Sequence, residues 1–286
     1  MKMVVSRRMV KIGVTSWVWV YPFDPRVIGK AKEIGFDGIE IPIENPKKID
    51  AKKTKDALKS HEIECSSICV VLGPDRDVIH PDKAVRENAK KYVKTCIDFA
   101  TEFNSDIVCG PLYSCVGKTK FMRDKEREWK YAVMGLKEMG KYAEDRNVFL
   151  AVEPLNRYET RLVNLVSDCI RMLKEVDSPA VKLHFDTYHG NIEEKSLGQA
   201  IRESGSLLYH VHACEHDRGT PGSGHIEWKE VAQALKDVGY NRYMVIETFQ
   251  PGTKEIATAA SIWRKLAASQ DELAREGLQF LRELMK

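Results

Sequence analysis

The chain has 286 residues, a formal net charge of +3, 43% hydrophobic residues and 30% charged residues. This length suffices for one α/β barrel with a large core, and the composition is typical of a folded globular protein. The small net charge, without a long run of Lys and Arg, gives no indication of nucleic-acid binding. No apolar run approaches the ~20 residues of a membrane-spanning helix, and the basic first residues lack the apolar core of a signal peptide.

Seven cysteines are scattered along the chain without a CxxC pair. Several lie in apolar segments, where a free cysteine behaves as a small hydrophobic residue. We therefore expect a cytoplasmic protein with reduced thiols. We also expect residues 1–9 to form an N-terminal tail of a single domain that spans residues 1–286.

Eight short segments, mostly apolar and rich in β-branched residues, are predicted strands. Such segments are typical of parallel strands that helices cover on one face and a packed interior covers on the other. They are residues 10–15, 37–42, 65–71, 106–110, 148–153, 181–186, 208–213 and 243–247.

Helical patterns lie between these strands. In 24–35, Asp24 occupies a cap position, Pro25 the first turn and Gly35 the end of a predicted helix. Further helices are predicted over 82–103, 127–146 and 258–285. Eight strands that alternate with helices predict a (β/α)₈ TIM barrel. The alternative is an open doubly wound sheet, but no Gly-rich nucleotide loop follows the first strand.

The ends of the last four predicted strands carry the residue types of a metal centre. In such barrels the chemistry lies at the C-terminal ends of the strands. Strands 5 to 8 end at Glu153, Asp186, His212 and Glu247. Three carboxylates that converge in a partly dry site would raise one another's pKa unless a cation were present. The donor set favours one divalent ion, with Mn²⁺ first and Co²⁺ or Mg²⁺ as alternatives.

Each of these residues alone has an ordinary explanation. A carboxylate at a strand end is usually a helix cap or a loop hydrogen-bonder. His184 and His210 are expected to be packed residues or supports of the ligands, and Cys109 and Cys214 lack partners for a zinc site. Four neighbouring strand ends with ligand residues favour the metal centre.

Polar and aromatic residues follow the same strand ends. His189 comes three residues after Asp186, and Arg218 lies in a glycine-rich loop after His212. An arginine beside a metal is well suited to hold a substrate oxygen. Trp17, at the end of strand 1, belongs either to the rim of the core or to the wall of a sugar pocket.

These segments resemble the ketose 3-epimerases, the D-tagatose 3-epimerase and D-psicose (D-allulose) 3-epimerase group of the xylose isomerase-like TIM barrel superfamily. The resemblance covers nearly the whole chain, and its most specific segments are EPLNRYE and RGTPGSGHIEW. It also rests on GFDGIEIP, GPDRD, VEPLNRYET, FDTYH, HACEHDRGTPGSGHIEW, VIETF and IWRKL. The segments after strands 1 and 4 depart from the family pattern, and both would touch the far end of the sugar.

The resemblance implies an isomerase that inverts C3 of a free ketose of the D-tagatose, D-fructose or D-psicose type. It implies metal ligands at Glu153, Asp186, His212 and Glu247, with Glu153 and Glu247 also as the acid/base pair. It further implies substrate contacts by Glu159, His189, Arg218 and Phe249, and a homodimer or homotetramer.

The chemistry of the residues agrees with this implication. Epimerisation removes a proton next to the C2 carbonyl and returns one to the other face, through a cis-enediolate at the metal. Two carboxylates on opposite faces can perform both transfers, each typically worth ~10²–10⁴ in rate. A metal that binds O2 and O3 would stabilise the developing charge.

Three alternatives remain at this stage. An isomerase of the hydroxypyruvate or inosose type would use the same ligands with another pocket. An AP endonuclease-like phosphodiesterase would need several metals and more histidines, which the ends of strands 2 to 4 lack. A non-catalytic sugar-binding barrel would not need both Glu153 and Glu247.

Overall fold

The fold is a closed barrel of eight parallel strands in the order β1 to β8, as seen in a computed structural model that describes residues 10–117, 124–251 and 260–286. Each strand pairs with its neighbours in sequence, and β8 closes the barrel on β1. The strands are β1 Lys11–Thr15, β2 Gly38–Pro42, β3 Glu64–Cys69, β4 Ile107–Gly110, β5 Phe149–Val152, β6 Val181–Asp186, β7 Leu208–His212 and β8 Tyr243–Ile246.

Nine α-helices in the described residues surround this barrel, as predicted for a (β/α)₈ fold. They are α1 Ile28–Ile34, α2 Ala51–Ser60, α3 Lys83–Glu102, α4 Lys125–Glu144, α5 Val166–Val176, α6 Thr187–Glu193, α7 Leu197–Ser204, α8 Trp228–Asp237 and α9 Gln270–Leu284. All eight predicted strands are present, so the alternative of an open sheet is wrong. The predicted tail, residues 1–9, lies outside the described residues.

The helix caps explain where several of these elements begin and end. The Asp24 side chain accepts a hydrogen bond from Arg26 N and caps a 3₁₀ turn that leads into α1, which ends at the left-handed Gly35. Asp186 ends β6 and also caps α6, through a 2.6 Å bond from Tyr188 N to Oδ1. One oxygen of Asp186 is therefore used for folding, and the other remains for the site.

The last helix begins later than predicted. The prediction placed one helix over 258–285, but residues 261–269 form turns and bends, and α9 begins at Gln270. Ser269 caps it with a 3.1 Å bond from Glu272 N, and the Ser-x-x-Glu spacing is that of a capping box. The Ser269 side chain accepts from the N–H of Glu272, which lies in the first turn and has no carbonyl partner within the helix. The cap therefore sets the start of α9.

The helices in the three described ranges are too short or too polar to cross a membrane. The longest, α3 and α4, each have 20 residues and carry charged residues along their exposed faces. Their buried faces pack against the barrel, as the predicted helical spacing of apolar residues requires.

Candidate active site

The four predicted ligands converge at the C-terminal end of the barrel. His212 Nδ1 lies 3.9 Å from Glu153 Oε1, 3.9 Å from Asp186 Oδ2 and 3.4 Å from Glu247 Oε2. All four side chains are buried, with at most 5% of any residue exposed. Glu153 and Glu247 directly follow β5 and β8, while Asp186 and His212 end β6 and β7. Closure of the barrel brings together residues that are up to 94 positions apart in sequence.

Glu40 orients the histidine of this group. Its Oε2 lies 3.0 Å from His212 Nε2 and 3.1 Å from His210 Nε2, and it also accepts a 2.7 Å bond from Ser67. Burial alone would raise the pKa of Glu40, but its two histidine partners lower it well below the usual range. An ionised Glu40 accepts the Nε2 hydrogen of His212, so the other ring nitrogen, Nδ1, faces the carboxylates.

The arrangement fits a divalent cation. Glu153 Oε1 and His212 Nδ1 are buried, face each other, and have no hydrogen-bond partner among the described residues. Burial would lower the pKa of His212, but Glu40 and Glu247 raise it well above its usual range. A proton or a cation is thus strongly favoured at Nδ1, and metal binding there would release the proton. Glu153, Asp186, His212 and Glu247 are the residues that would hold the ion.

Thiols also border the site. Cys214 Sγ lies 3.9 Å from Asp186 Oδ2, and Cys109 Sγ lies 3.3 Å from Glu40 Oε2. Burial, with the nearby carboxylates, raises the pKa of both thiols well above the usual range. Since a thiol binds metals as the thiolate, these groups do not compete with the oxygen donors. His184 is fully buried, and neither ring nitrogen has a hydrogen-bond partner among the described residues. The centre of its ring lies 4.1 Å from the centre of the His212 ring.

Arg218 joins two of the carboxylates. Its Nη1 lies 2.6 Å from Asp186 Oδ2 and 2.5 Å from Glu247 Oε2, and its guanidinium is 4.1 Å from the centre of the Tyr188 ring. The residue has φ +67°, a left-handed conformation that non-glycine residues rarely adopt. Thr248 Oγ1 donates to its carbonyl at 2.5 Å and helps to hold this conformation. The arginine is thus fixed over the site.

His189 and Arg218 converge as two donors. Asn156 N donates to His189 Nδ1 at 3.1 Å, so the hydrogen of the neutral ring is on Nε2. Burial lowers the pKa of His189 to about 3, which keeps the ring neutral. Nε2 lies 3.1 Å from Arg218 Nη2, a group that can only donate. Two donors in contact need a shared acceptor, and one oxygen within hydrogen-bond distance of both nitrogens, such as a substrate carbonyl, would satisfy them.

The remaining predicted substrate residues line one cavity with the site. Its volume is about 210 Å³, and Glu159, Phe249 and Trp17 lie on its wall together with Glu153 and Glu247. The rings of Trp17 and Phe249 are 5.4 Å apart and form an aromatic face. Trp17 is thus both a core residue, 6% exposed, and part of the pocket wall.

The protein shifts the pKa values of Glu153 and Glu247 in opposite directions. Burial, with the charges of Asp186 and Glu247, raises the pKa of Glu153 well above its usual range. Burial would also raise the pKa of Glu247, but Arg218 and His212 lower it to about 2. Two carboxyl groups with opposed pKa shifts suit a pair in which one accepts a proton and the other donates one.

Three residues of the site carried no role in the sequence prediction. Glu40 had a signal, since it is the lone acid in a strand with apolar neighbours. Asn156 holds His189, and its Nδ2 donates to Glu159 Oε1 at 2.9 Å. The buried Glu215 accepts from His216 N, Gly222 N and Ile226 N of the loop that carries Arg218, and from Trp228 Nε1 of α8. The last two have no local signal, because their partners are set by loop geometry.

The closed parallel barrel, with carboxylates and a histidine at the C-terminal ends of β5 to β8, places the protein among (β/α)₈ barrels whose site lies at that end of the strands. The sequence model of the xylose isomerase-like TIM barrel family matches residues 28–284, and the chain belongs to this family.

Within the family the chain is similar to ketose 3-epimerases, as its motifs predicted. It is 31% identical over 98% of its length to a probable ketose 3-epimerase of Synechocystis sp., of which it covers 98%. It is 34% identical over 86% of its length to a D-psicose 3-epimerase of Ruminiclostridium cellulolyticum, of which it covers 85%. The D-allulose 3-epimerase of Methylomonas sp. in complex with D-allulose superposes with a TM-score of 0.91, 27% identity and coverage of 96% and 97% of the two chains.

Proposed function

We propose that this protein is an isomerase that inverts the configuration at C3 of a free ketose of the D-psicose, D-fructose or D-tagatose type. The observation that carries the proposal is that Glu153 and Glu247 both approach His212 Nδ1, at 3.9 and 3.4 Å, and line one cavity. Two carboxyl groups around one substrate carbon can remove a proton from one face and return a proton to the other.

The reaction balances on these two residues. One glutamate, as carboxylate, takes the hydrogen of C3 as a proton. The electron pair of the C–H bond forms the C2–C3 double bond of an enediolate, and negative charge develops on the C2 oxygen. The other glutamate, as carboxylic acid, then donates its proton to the opposite face of C3. The two exchange protonation states, so the enzyme is ready for the reverse reaction. The opposed pKa shifts of Glu153 and Glu247 agree with this division.

Other groups bind and orient the ketose. The Nε2 hydrogen of His189 and the guanidinium of Arg218 would donate to the substrate oxygen at C2, where negative charge develops. Glu159, held by Asn156, would accept from a hydroxyl group. Phe249 and Trp17 would cover the carbon chain and exclude water. A divalent ion at the four ligands, Mn²⁺ before Co²⁺ or Mg²⁺, would supply further stabilisation of charge on the substrate oxygens.

Deuterium exchange tests the proposal. The protein with Mn²⁺ is incubated in D₂O with D-psicose, D-fructose, D-tagatose or hydroxypyruvate, and the products are separated by chromatography and examined by NMR. We expect the C3 epimer of at least one ketose, with deuterium at C3. An aldehyde product, deuterium at C1, or turnover of hydroxypyruvate alone would contradict C3 epimerisation in favour of an aldose–ketose or hydroxypyruvate-type isomerase.

The position of inversion needs its own check. A 3-dehydro-D-guloside 4-epimerase of Escherichia coli is 28% identical over 76% of the chain. The NMR spectrum distinguishes inversion at C3 from inversion at C4. The exposed Glu33→Gln variant serves as the matched control for glutamate substitutions, since it should convert the ketose at the wild-type rate.

A further inference from the structure

A second polar pair lies in the cavity, on its other side. Glu44 and Arg76 line the same space of about 210 Å³ as Glu153 and Glu247. They come from the segments that follow β2 and β3, whereas the predicted ligands follow β5 to β8. Neither residue has a role in the proton transfers. Polar groups are costly to hold in a largely apolar pocket, and in ligand sites they usually fix orientation and specificity.

Arg76 is rigidly held. Its Nε donates to Val71 O at 3.1 Å, and its Nη2 donates to Glu44 O at 2.9 Å. Its guanidinium lies 4.2 Å from the centre of the Tyr92 ring, and Tyr92 OH in turn donates to Ile43 O. The arginine therefore acts as a brace that joins the β2 and β3 loops and fixes the backbone of Glu44.

Glu44 has capacity for further hydrogen bonds. Its Oε1 accepts from Trp17 Nε1 at 2.7 Å, its Oε2 accepts a long 3.5 Å contact from Phe23 N, and the backbone N–H of Glu44 also donates to the carboxylate. A carboxylate offers about four acceptor sites, so the oxygens retain lone pairs on the wall of the cavity. Among the described residues, no Lys or Arg side chain forms a salt bridge with the Glu44 carboxylate, because the contact from Arg76 is to the backbone oxygen of Glu44. Burial raises the pKa of Glu44, while the bond from Trp17 lowers it.

The Glu44 oxygens are hydrogen-bond acceptors, and this determines which groups of a ligand they can bind. With C1 to C3 of a ketose at the glutamate pair, its remaining hydroxyl groups would extend along Trp17 and Phe249, which line the cavity together with Glu44. Hydroxyl groups are donors and match the lone pairs of Glu44. A phosphate at this end of the sugar carries negative charge and no matching donor, so it would meet Glu44 with repulsion.

We propose that Glu44, oriented by Trp17 and braced by Arg76, is a specificity-determining residue that accepts hydrogen bonds from the terminal hydroxyl groups of a six-carbon ketose. It favours ketohexoses over ketopentoses, whose chains end one carbon earlier, and it disfavours ketoses phosphorylated at this end. This inference rests on the proposed function, because it presumes that the sugar binds with C3 between Glu153 and Glu247.

Steady-state kinetics of Glu44→Leu, Glu44→Gln and the control Glu33→Gln test the inference, with D-psicose and D-ribulose as substrates. Removal of an acceptor that pairs with substrate hydroxyls is expected to lower kcat/KM for D-psicose about 10- to 100-fold in Glu44→Leu. The value for D-ribulose should change less than threefold. Glu44→Gln keeps one acceptor oxygen and should give an intermediate loss, and Glu33→Gln should resemble the wild type.

Inhibition by D-fructose 6-phosphate provides a second, independent readout. We expect the inhibition constant to fall at least fivefold in Glu44→Gln, because the repelling charge is removed while the size of the side chain is kept. This measurement needs only a folded Glu44→Gln protein, so it decides the matter even if Glu44→Leu does not fold.

Each outcome has one meaning. An equal loss for both sugars, or an unchanged inhibition constant, would show that Glu44 only supports Trp17 and would overturn the inference alone. Unchanged kcat/KM for D-psicose in Glu44→Leu would also overturn it alone. If the wild type inverts C3 of none of D-psicose, D-fructose, D-tagatose and D-ribulose, the proposed function fails and the inference fails with it.

Discussion

The C-terminal rim of the barrel has two unlike halves. The ends of β5 to β8 carry Glu153, Asp186, His212 and Glu247, and the ends of β1 to β4 carry Thr15, Pro42, Cys69 and Gly110. The charged half brings three carboxylates together, and only a metal cation or an arginine can balance their charge. This half is therefore suited to charge stabilisation and proton transfer. The neutral half leaves room for the ligand, and its polar groups lie beyond the strand ends, in Glu44 and Arg76. With the proposed function and the proposed role of Glu44, reaction and substrate choice are divided between the two halves.

The largest effect is expected from the glutamates of the charged half. Glu247→Gln and Glu153→Gln each remove a proton carrier and a ligand, so kcat for D-psicose should fall at least ~10³-fold. The Glu44→Gln variant of the neutral half should retain far more turnover at saturating substrate. Kinetics at saturating Mn²⁺, with the bound metal quantified, check this. A Glu247→Gln enzyme with full turnover would remove the distinction between the halves.

Arg218 should have the next largest effect on turnover. Arg218→Met removes a donor to the substrate oxygen, and we expect kcat to fall about 10²–10³-fold. It also leaves Asp186 and Glu247 without their cationic partner, which in the metal-free protein should cost about 3–5 kcal/mol of unfolding free energy. Thermal unfolding with and without Mn²⁺ measures this. Full stability of the metal-free variant would contradict the assigned ion pairs, and Arg202→Met, which removes an exposed pair with Asp237, is the control.

Glu40 connects the halves, since it lies in β2 and supports His212 of β7. Glu40→Leu removes the acceptor of the His212 Nε2 hydrogen, so Mn²⁺ affinity should fall about 10- to 100-fold. Competition with a fluorescent chelator measures the affinity independently of activity. Glu40→Gln, which keeps one acceptor oxygen, should lose less. Equal affinity in the wild type and Glu40→Leu would show that the imidazole is oriented without Glu40.

The smallest effect on catalysis is expected from a residue of the neutral half that affects stability. Gly110 ends β4 with φ +122°, and a Cβ added there would lie 2.7 Å from Val70 O. Gly110→Ala should therefore lower the unfolding free energy by about 2–4 kcal/mol. Gly239, with φ +69° and nothing within 4 Å of an added Cβ, is the matched control and should lose about 1 kcal/mol as alanine. Urea denaturation compares the two, and equal losses would rule out a steric reason for the small residue.

Much of the fold and of the charged half was predictable from sequence. The eight strands were recognised because their apolar runs are local, and their C-terminal residues could be placed in one centre because barrel closure follows from the strand count. The closing helix begins later than predicted, at Gln270, because Ser269 caps it within a segment of helical composition. That error was local and could have been avoided from the sequence.

The support of the site was less predictable. Glu40 binds Ser67 and His212, which lie 27 and 172 residues away in sequence. Nδ1 of His189 is an acceptor because the backbone N–H of Asn156, 33 residues away, donates to it. Such contacts depend on the relative rotation of strands and on side-chain rotamers, for which a single sequence carries no local pattern.

The sequence by itself determined the barrel, the four metal-ligand candidates and the similarity to ketose 3-epimerases, because periodicity, strand-end residues and motifs are properties of short segments. Only the tertiary structure decided which nitrogen of His212 faces the carboxylates, that Arg218 bridges Asp186 and Glu247, and that Glu44 shares the cavity with the glutamate pair. These features depend on distances of a few ångströms between distant segments, and packing of the whole barrel sets those distances.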